Sequence, residues 1–258
     1  GNPNSLINGH IGSLYQDDTG TLWIGTLTGV CSFDPETERF TRYSPDEVLS
    51  GNSFSGSIVE DDSGRIWATS WGHGLHVIDP ATGDYHVYRH DPGDPGSLGS
   101  NLTGHMVMDD SGYMWVGTDS GVDVFDPGED RFHHFRHVNG DPTTLSSNAV
   151  WAMHRGRDGC IWVGTLGGGL NRIVSFGDVF HHYSQETHGL VNDRVTAICE
   201  DRTGRIWVGT GGGLDIYNPE TESINAFNPY SGDSATFSPG AISTIYQDNR
   251  RFVWIGTA

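Results

Sequence analysis

The chain alternates short apolar stretches with clusters of glycine, aspartate, asparagine and proline. Within residues 195–227, stretches rich in β-branched and aromatic side chains are separated by such clusters, a pattern typical of short strands joined by turns. The pattern predicts four strands in this segment, at Val195–Cys199, Arg205–Thr210, Leu214–Tyr217 and Ser223–Phe227. Because the connections are short, we expect the four strands to form one antiparallel sheet.

The same pattern occurs six times. Each copy contains a strand with the order apolar, Trp, apolar, Gly, Thr, with small variations, and the repeated tryptophans are Trp23, Trp67, Trp115, Trp162, Trp207 and Trp254. They are about 46 residues apart, a period between those of WD40 and kelch repeats, both of which build propellers. No copy contains ten residues with helical apolar spacing free of Gly and Pro, which excludes a helical repeat.

We therefore predict an all-β fold, a β-propeller segment with four-stranded antiparallel blades. Residues 1–258 contain five full blades and half of a sixth. The predicted blades are 9–43, 55–89, 103–137, 148–184, 194–228 and the partial 241–258. The chain begins in a predicted blade-to-blade loop and stops after the second strand of blade 6, so we interpret it as a fragment of a larger propeller array.

The repeats resemble those of the two-component regulator propeller family, found in the sensor regions of bacterial hybrid two-component histidine kinases. The resemblance rests on the strand-turn-strand core Ile198–Leu214 and on the linkers Asp94–Leu98 and Asp141–Leu145. It covers essentially the whole chain. Departures are confined to single turns: blade 2 has Ala68-Thr69 where other blades have Gly-Thr, and blade 4 has Gly156 in place of the first Asp.

This resemblance implies a periplasmic sensor domain that takes part in signal transduction as a portion of a membrane-anchored sensor histidine kinase. It implies that the propeller binds a small molecule, such as an oligosaccharide, at the mouth of a channel. The segment itself is then not an enzyme. Contact with a membrane would involve only segments outside this sequence, and the full-length sensor could form a homodimer.

Composition narrows the classes of partner. The 258 residues contain 14 basic residues, all arginine, against 33 acidic ones, a net charge of −19. This sign excludes a nucleic-acid-binding surface and disfavours an anionic membrane surface. The cysteines Cys31, Cys160 and Cys199 are odd in number and lack CxxC spacing, so we predict buried thiols rather than a disulfide or zinc site. We predict no cofactor.

We expect ligand binding on the face that carries the second-to-third turns and the blade-to-blade loops, because these loops vary while the hairpin sequences repeat. Trp71 and His73 lie in the loop of blade 2 where blade 5 has Gly211–Gly213. A sugar ring stacks well on Trp and accepts hydrogen bonds from His. Alternatively, Trp71 covers the edge of the neighbouring blade.

Two candidates lie in the predicted first strands. Trp151 opens the first strand of blade 4, and we favour ligand contact over core packing for it. Its predicted equivalents are Gly12, Ser55, Thr103, Thr196 and Ser243. His105 is a candidate ligand or pH-sensitive group, because the equivalent residues that line the predicted channel are small: Ser13, Ser57, Ala152, Ala197 and Thr244.

Three further candidates are predicted one residue before a first strand: His10, Asn101 and Arg194. In so acidic a protein, Arg194 is the best anchor for a carboxylate or a uronic acid.

We predict no metal ligand and no catalytic residue. The pairs His133-His134 and His181-His182 cannot each chelate one ion, because neighbours in a strand point to opposite faces. The Asp-rich turns lack the spacing of a calcium loop, and no nucleophile motif is present. Two other functions stay open: a stand-alone propeller lyase or hydrolase using His105 or His73, and a protein-interaction scaffold with an apolar patch.

Overall fold

A computed structural model describes residues 4–43, 56–227 and 240–257. The predicted blade ends at residues 55, 228 and 258 lie outside these ranges. The described chain is almost entirely β-structure, as predicted: 22 strands and one short helix. No helix in the described ranges has the length and apolarity needed to span a bilayer.

The chain divides into two compact units. The first extends to Asp119 and includes Asp123–His134; the second contains Ser120–Val122 and the residues from Phe135 onward. Blades 1 to 3 belong to the first unit apart from a few residues of blade 3, and blades 4 to 6 belong to the second.

The first three blades each contain four strands. Blade 1 contains β1 (Ile11–Gln16), β2 (Leu22–Thr26), β3 (Gly29–Asp34) and β4 (Arg39–Tyr43). Blade 2 contains β5 (Ile58–Glu60), β6 (Ile66–Ser70), β7 (Gly74–Ile78) and β8 (Tyr85–Tyr88). Blade 3 contains β9 (Thr103–Met108), β10 (Met114–Thr118), β11 (Gly121–Asp126) and β12 (Arg131–Phe135).

The second unit continues the repeat. Blade 4 contains β13 (Val150–Arg155), β14 (Ile161–Thr165), β15 (Leu170–Ile173) and β16 (His181–Tyr183). The helix α1 (Gln185–His188) follows it. Blade 5 contains β17 (Val195–Glu200), β18 (Ile206–Thr210), β19 (Gly213–Asn218) and β20 (Ser223–Ala226). The half blade 6 contains β21 (Ile242–Gln247) and β22 (Val253–Thr257).

In every blade the strands are hydrogen-bonded in chain order, and the pairs with a described register are antiparallel. The first strands of neighbouring blades within a unit lie against one another. Turns therefore alternate between the two ends of each blade, and the second-to-third turn lies at the end where the chain enters the blade. The predicted propeller-blade fold is confirmed.

The repeated tryptophan is a core residue of blades 1 to 4, and in blade 5 Trp207 is half-buried. Trp23, Trp67, Trp115 and Trp162 are at most 2% exposed. Trp67 packs between blades, against residues of blade 3 such as Phe125. Removing a ring buried in this way costs on the order of 3–5 kcal/mol. Trp254, in the half blade, is 62% exposed, and no described third strand covers it.

A carboxylate in the first turn fixes the tryptophan. In blade 5, Asp201 Oδ2 accepts the indole N–H of Trp207 at 2.9 Å, while Oδ1 accepts the backbone N–H groups of Thr203 and Arg205 at 2.8 and 3.1 Å. Burial alone would raise the pKa of Asp201, but the hydrogen bonds from Thr203 and Trp207 outweigh it and hold the pKa below its ordinary value. The same indole bond is made by Asp17, Asp61, Asp109 and Asp248.

Blade 4 lacks this carboxylate because Gly156 replaces the aspartate. Trp162 Nε1 is buried and has no hydrogen-bond partner among the described residues. Asp158, two residues later, accepts the backbone N–H of Cys160 at 3.1 Å, and a Cβ on Gly156 would lie 2.5 Å from its Oδ1. The side chain of Asp158 therefore takes part of the space of the missing aspartate without reaching the indole. Arg172 stacks over the Trp162 ring instead, 5.7 Å from its centre.

The glycine of the repeated Gly-Thr pair allows the next blade to approach closely. A Cβ on Gly209 would lie 2.5 Å from Ile242 Cγ2. In blade 2, the register pairs Thr69 with Leu75 and Ser70 with Gly74, so Thr69-Ser70 takes the place of Gly-Thr. The assignment of this place to Ala68-Thr69 was one residue out of register.

Buried polar side chains in the third strands hold the linkers between blades. Asp123, Asn171 and Asp215 are 0% exposed and occupy equivalent positions. Each accepts a backbone N–H from the linker that enters its blade; the donors are Gly99 at 2.7 Å, Ser146 at 2.9 Å and Val191 at 3.1 Å. These bonds satisfy linker amides that would otherwise be buried without partners.

The three positions differ in their own charge and in whether the neighbouring strand supplies a basic partner. His134 Nδ1 lies 2.7 Å from Asp123 Oδ1, and Asn171 is uncharged. Asp215 is paired across the sheet with Ala226, which supplies no cation. Burial accordingly raises the pKa of Asp215 to about 6, against a smaller lowering by the hydrogen bond from Val191.

The cysteines follow the sequence prediction in part. All three are free thiols; Cys31 and Cys160 are buried, and Cys199 is half-buried. Burial raises the pKa of each thiol, which keeps it protonated at neutral pH.

Restoring the turn carboxylate of blade 4 should stabilise the protein. In the double variant Gly156→Asp/Asp158→Thr, the turn has the pattern of Asp201 and Thr203, so Trp162 Nε1 gains an acceptor. We expect the free energy of unfolding to rise by about 1 kcal/mol, measured by chemical denaturation. The control Asp158→Thr removes the crowding without supplying an acceptor. A double variant no more stable than this control would contradict the explanation.

Asp215→Asn should change how stability depends on pH. Because the pKa of Asp215 is raised in the folded protein, its contribution to the free energy of unfolding falls as pH rises from about 4 to about 6. Asparagine removes this fall, so the variant should be more stable above pH 6 by about 3 kcal/mol at most, and little changed near pH 4. Denaturation at several pH values measures this, and parallel profiles for the two proteins would contradict it.

Candidate ligand-binding loops

The second-to-third turns and the loops that enter the next blade meet at one end of the blades. Trp71 forms an isolated antiparallel bridge with Leu102, just before β9. Leu166 forms the equivalent bridge with Arg194, just before β17. This contact confirms that the two kinds of loop share a face, hereafter the loop face of each unit.

In the first unit, Trp71 lies on the loop face at the tip of the β6–β7 turn. Its side chain is 45% exposed, and His73 in the same turn is half-buried. The turn ends at Gly74, whose φ is 88° and whose Cβ, if present, would lie 2.2 Å from the carbonyl oxygen of Tyr88, so only glycine fits. The bridge to Leu102 ties the Trp71 backbone to the next blade while the indole stays accessible.

In the second unit, Trp151 occupies a β-bulge. The register of β13 on β14 shifts between Val150 and Ala152, which leaves Trp151 as the extra residue. A bulge redirects the side chain of its extra residue, and Trp151 is 40% exposed. The corresponding shift in β9 follows Thr103, so the counterpart of Trp151 is Gly104 rather than the predicted Thr103. Ser55 lies outside the described residues.

His105 follows the bulge in β9 of the first unit. Its side chain is accessible to solvent, yet the protein atoms around it exclude enough water to lower the pKa of the imidazole below its ordinary value. The neutral form is therefore favoured near neutral pH, and in that form the ring has one hydrogen-bond donor and one acceptor.

Arg194 is exposed on the loop face of the second unit. Its backbone accepts a hydrogen bond from Gly211 N at 2.8 Å, and its own N–H donates to Asn192 Oδ1 at 2.9 Å. A Cβ on Gly211 would lie 3.3 Å from Arg194 Cδ, so the glycine leaves room for the arginine side chain. Within the described ranges the guanidinium makes no ion pair, which keeps its donors available for a ligand.

Asn101 was aligned one residue out of register. The bridges show that Leu102, not Asn101, is the counterpart of Arg194. Asn101 Oδ1 accepts the backbone N–H of His90 at 2.8 Å, and Asn148 does the same for His137 at 2.7 Å. Asn101 therefore supports the linker, and its carbonyl oxygen is already occupied.

His10 is exposed before β1. Its backbone donates to Asn8 Oδ1 at 2.8 Å and accepts from Leu27 N at 3.1 Å, which holds the entry loop against the β2–β3 turn.

The candidates are thus distributed over both units. His10, Trp71, His73, Asn101 and His105 belong to the first unit, whereas Trp151 and Arg194 belong to the second. The loop face of the first unit presents the Trp71 indole beside His73, and the second unit offers Trp151 and the Arg194 guanidinium.

Sequence reasoning missed one cluster of metal-ligand side chains. Asp126, Glu129 and His133 each place one ligand atom within 4.8 Å of the others, across the turn between β11 and β12. The sequence argument weighed His133 only with its neighbour His134. The overlooked signal is the spacing across the turn: Glu three residues and His seven residues after Asp.

Comparison with known proteins identifies the repeat. Residues 5–28, 144–167 and 189–212 match the sequence profile of the two component regulator propeller family. No curated protein matches the sequence. The extracellular domain assigned to a hybrid two component system of B. thetaiotaomicron is similar over 98% of this chain, with 25% identity and a TM-score of 0.72. The chain spans 39% of the length of that structure.

Two further structures show the same fold at lower identity. Virginiamycin B lyase of Staphylococcus aureus has a TM-score of 0.74 at 12% identity, over 98% of this chain and 80% of its own. PorZ, a surface component of the type-IX secretion system of Porphyromonas gingivalis, has a TM-score of 0.69 at 19% identity, over 96% of this chain and 37% of its own. These likenesses concern the fold alone.

We expect the pKa of His105 to lie below that of an ordinary histidine, because the surrounding protein atoms disfavour the charged imidazolium. NMR titration of the imidazole signals measures this pKa, and the signal lost in His105→Gln identifies the residue. A midpoint at or above that of a histidine in a model peptide would contradict the expected desolvation.

Proposed function

Three segments of the chain match the two component regulator propeller family, and from this premise we propose that the chain is the ligand-sensing part of the extracytoplasmic region of a two-component signalling protein. The observation that carries the proposal is the likeness of 98% of the chain to an extracellular domain of such a system. In this role the propeller blades form a rigid framework, and the loop faces present the groups that contact the ligand.

The ligand in this proposal is a small molecule, with an oligosaccharide as the leading class. Trp71 and Trp151 support it, because each is a large aromatic ring that stays 40% or more exposed and a sugar ring stacks on such a surface. Arg194, exposed and without an ion pair among the described residues, would add a bidentate contact to a carboxylate. His73 and His105 would supply directional hydrogen bonds.

Signal transmission completes the proposal. The ligand would favour one of two arrangements of the sensor region, and the shift in population would reach a histidine kinase across a membrane. The proposal gives this chain a periplasmic location within a membrane-anchored sensor histidine kinase. The chain spans 39% of the related extracellular domain.

A sensor role is better supported than a catalytic one. The likeness to a lyase comes with 12% identity and concerns only the fold. In the part of the chain that the structure describes, neither the His73 nor the His105 side chain is hydrogen-bonded or ion-paired to a carboxylate, the partner that orients a histidine base.

The proposal predicts binding to at least one member of a panel of neutral and uronate-containing oligosaccharides. The readouts are the thermal unfolding midpoint and calorimetric titration of this chain. Trp71→Ala should weaken binding at the loop face of the first unit, or Trp151→Ala binding at the loop face of the second unit, by about tenfold, the loss expected for one aromatic stacking contact. Arg194→Gln should weaken the binding of a uronate more than that of its neutral analogue.

The matched control is Phe252→Ala, which removes an aromatic ring that is 62% exposed in the β21–β22 turn, at the end of blade 6 opposite its loop face. Its binding should equal that of the unchanged chain. Equal losses in the control and the tryptophan variants would contradict a site on the loop faces. A panel without any binding member would contradict an oligosaccharide as the ligand.

A further inference from the structure

The turn between β11 and β12 brings together three side chains of metal-ligand chemistry, away from the loop faces. His133 Nε2 lies 3.8 Å from Asp126 Oδ2 and 3.7 Å from Glu129 Oε2. Ligands about 2.1 Å from a tetrahedral zinc ion lie about 3.4 Å apart. The two distances from His133 Nε2 therefore exceed this separation by a few tenths of an ångström, and all three ligand atoms lie within 4.8 Å of one another. All three residues belong to the first unit.

The backbone of the turn fixes the central ligand. Asp126 Oδ1 accepts the N–H groups of Gly128 and Glu129 at 2.7 and 3.2 Å. Oδ2 is then turned towards His133, and the Asp126 side chain is only 15% exposed. Asp130, with a left-handed φ of 52°, reverses the chain so that β12 carries His133 back to this carboxylate.

The adjacent histidine has a different role. His134 lies on the opposite face of β12, where Nδ1 is 2.7 Å from Asp123 and Nε2 is 3.0 Å from the carbonyl oxygen of Pro95. The two neighbours are thus directed apart, as expected for a strand, and His133 takes its ligand partners from the turn.

The corresponding third-to-fourth turns of the other blades, hereafter the sister turns, differ from the β11–β12 turn at the position of Glu129. Three residues after the turn Asp or Asn, blades 1, 2 and 5 have a threonine, and Thr37 in blade 1 donates its hydroxyl to Asp34 Oδ2 at 2.7 Å. Glu129 takes the place of this threonine in blade 3, so no hydroxyl occupies Asp126 Oδ2. Blade 2 has Asp79 and His86 at the matching places but Thr82 between them, and so lacks one ligand.

From this geometry we propose that the β11–β12 turn binds one zinc ion through Asp126 Oδ2, Glu129 Oε2 and His133 Nε2, with water completing the coordination. Imidazole nitrogen and carboxylate oxygen are both zinc ligands, and the nitrogen disfavours calcium and magnesium, which take oxygen ligands. The two carboxylates balance the charge of the ion. Arg131 Nε, 3.9 Å from Glu129 Oε2 and exposed, is the competing cation that zinc would displace.

The ion would connect the turn to β12. Its coordination positions that hold water would stay open to another oxygen ligand. Neither property depends on the proposed sensing of a small molecule, because these three residues lie in a third-to-fourth turn at the opposite end of the blade from the loop face.

Calorimetric titration of the chain with zinc chloride, after removal of bound metal with a chelator, tests the site. We expect one strong site per chain, and Glu129→Thr and His133→Thr should each weaken it by about tenfold or more. Both substitutions copy sister turns, where Thr82 and Thr41 occupy these places. Excess calcium should not compete. Circular dichroism of each variant without zinc establishes that it is folded.

The matched control is His86→Thr, which removes the corresponding histidine of blade 2 and should leave zinc binding unchanged. The proposal is overturned if the unchanged chain has no strong zinc site, in which case the cluster is only an ion pair of a protonated histidine. It is also overturned if Glu129→Thr and His133→Thr bind zinc as tightly as the control does.

Discussion

In blades 1 to 3 the fold depends on burying one tryptophan per blade while satisfying its indole N–H. An apolar ring buries most area when it is fully enclosed, but an enclosed N–H without an acceptor costs free energy. The aspartate six residues earlier resolves this conflict, because the same carboxylate that closes the first turn also accepts the indole proton, as Asp201 does for Trp207. Turn geometry, strand pairing and blade packing therefore share one side chain in every described repeat except blade 4, where Gly156 replaces it and Trp162 Nε1 is buried without an acceptor.

This coupling explains why so much of the fold was predictable. The spacing of tryptophans, the Asp-x-x-Gly turns and the Gly-Thr pairs repeat visibly in the sequence, and each reflects a local rule. The strand bounds of blade 5 differ from those predicted by one residue at most. What the sequence could not supply was register at the blade entrances: β-bulges there insert one residue, so Thr103 and Asn101 were matched to the wrong positions of other blades.

The candidate site was predictable only in outline. Loop variability pointed to Trp71 and Arg194, and comparison of the first strands pointed to Trp151. The exposure of all three is compatible with contact to a ligand. Contacts between distant positions were not visible in the sequence. Examples are the hydrogen bond from the His90 backbone N–H to Asn101 Oδ1 and the approach of His133 to Asp126 across a turn. Such contacts depend on the turn conformation, which a single sequence specifies less clearly than strand periodicity.

The β-bulge at the start of each first strand has an evolutionary consequence. Its extra residue is left out of the regular ladder. In blade 5 this residue is the buried Thr196, whose hydroxyl donates to the carbonyl oxygen of Gly209 at 3.2 Å. The side chain at this position differs widely in size among blades with the same strand pairing. The bulge residue is Gly12 in blade 1, Trp151 in blade 4, Thr196 in blade 5 and Ser243 in blade 6. Duplicated repeats can therefore differ at one position per blade while the pairing of the first two strands is retained.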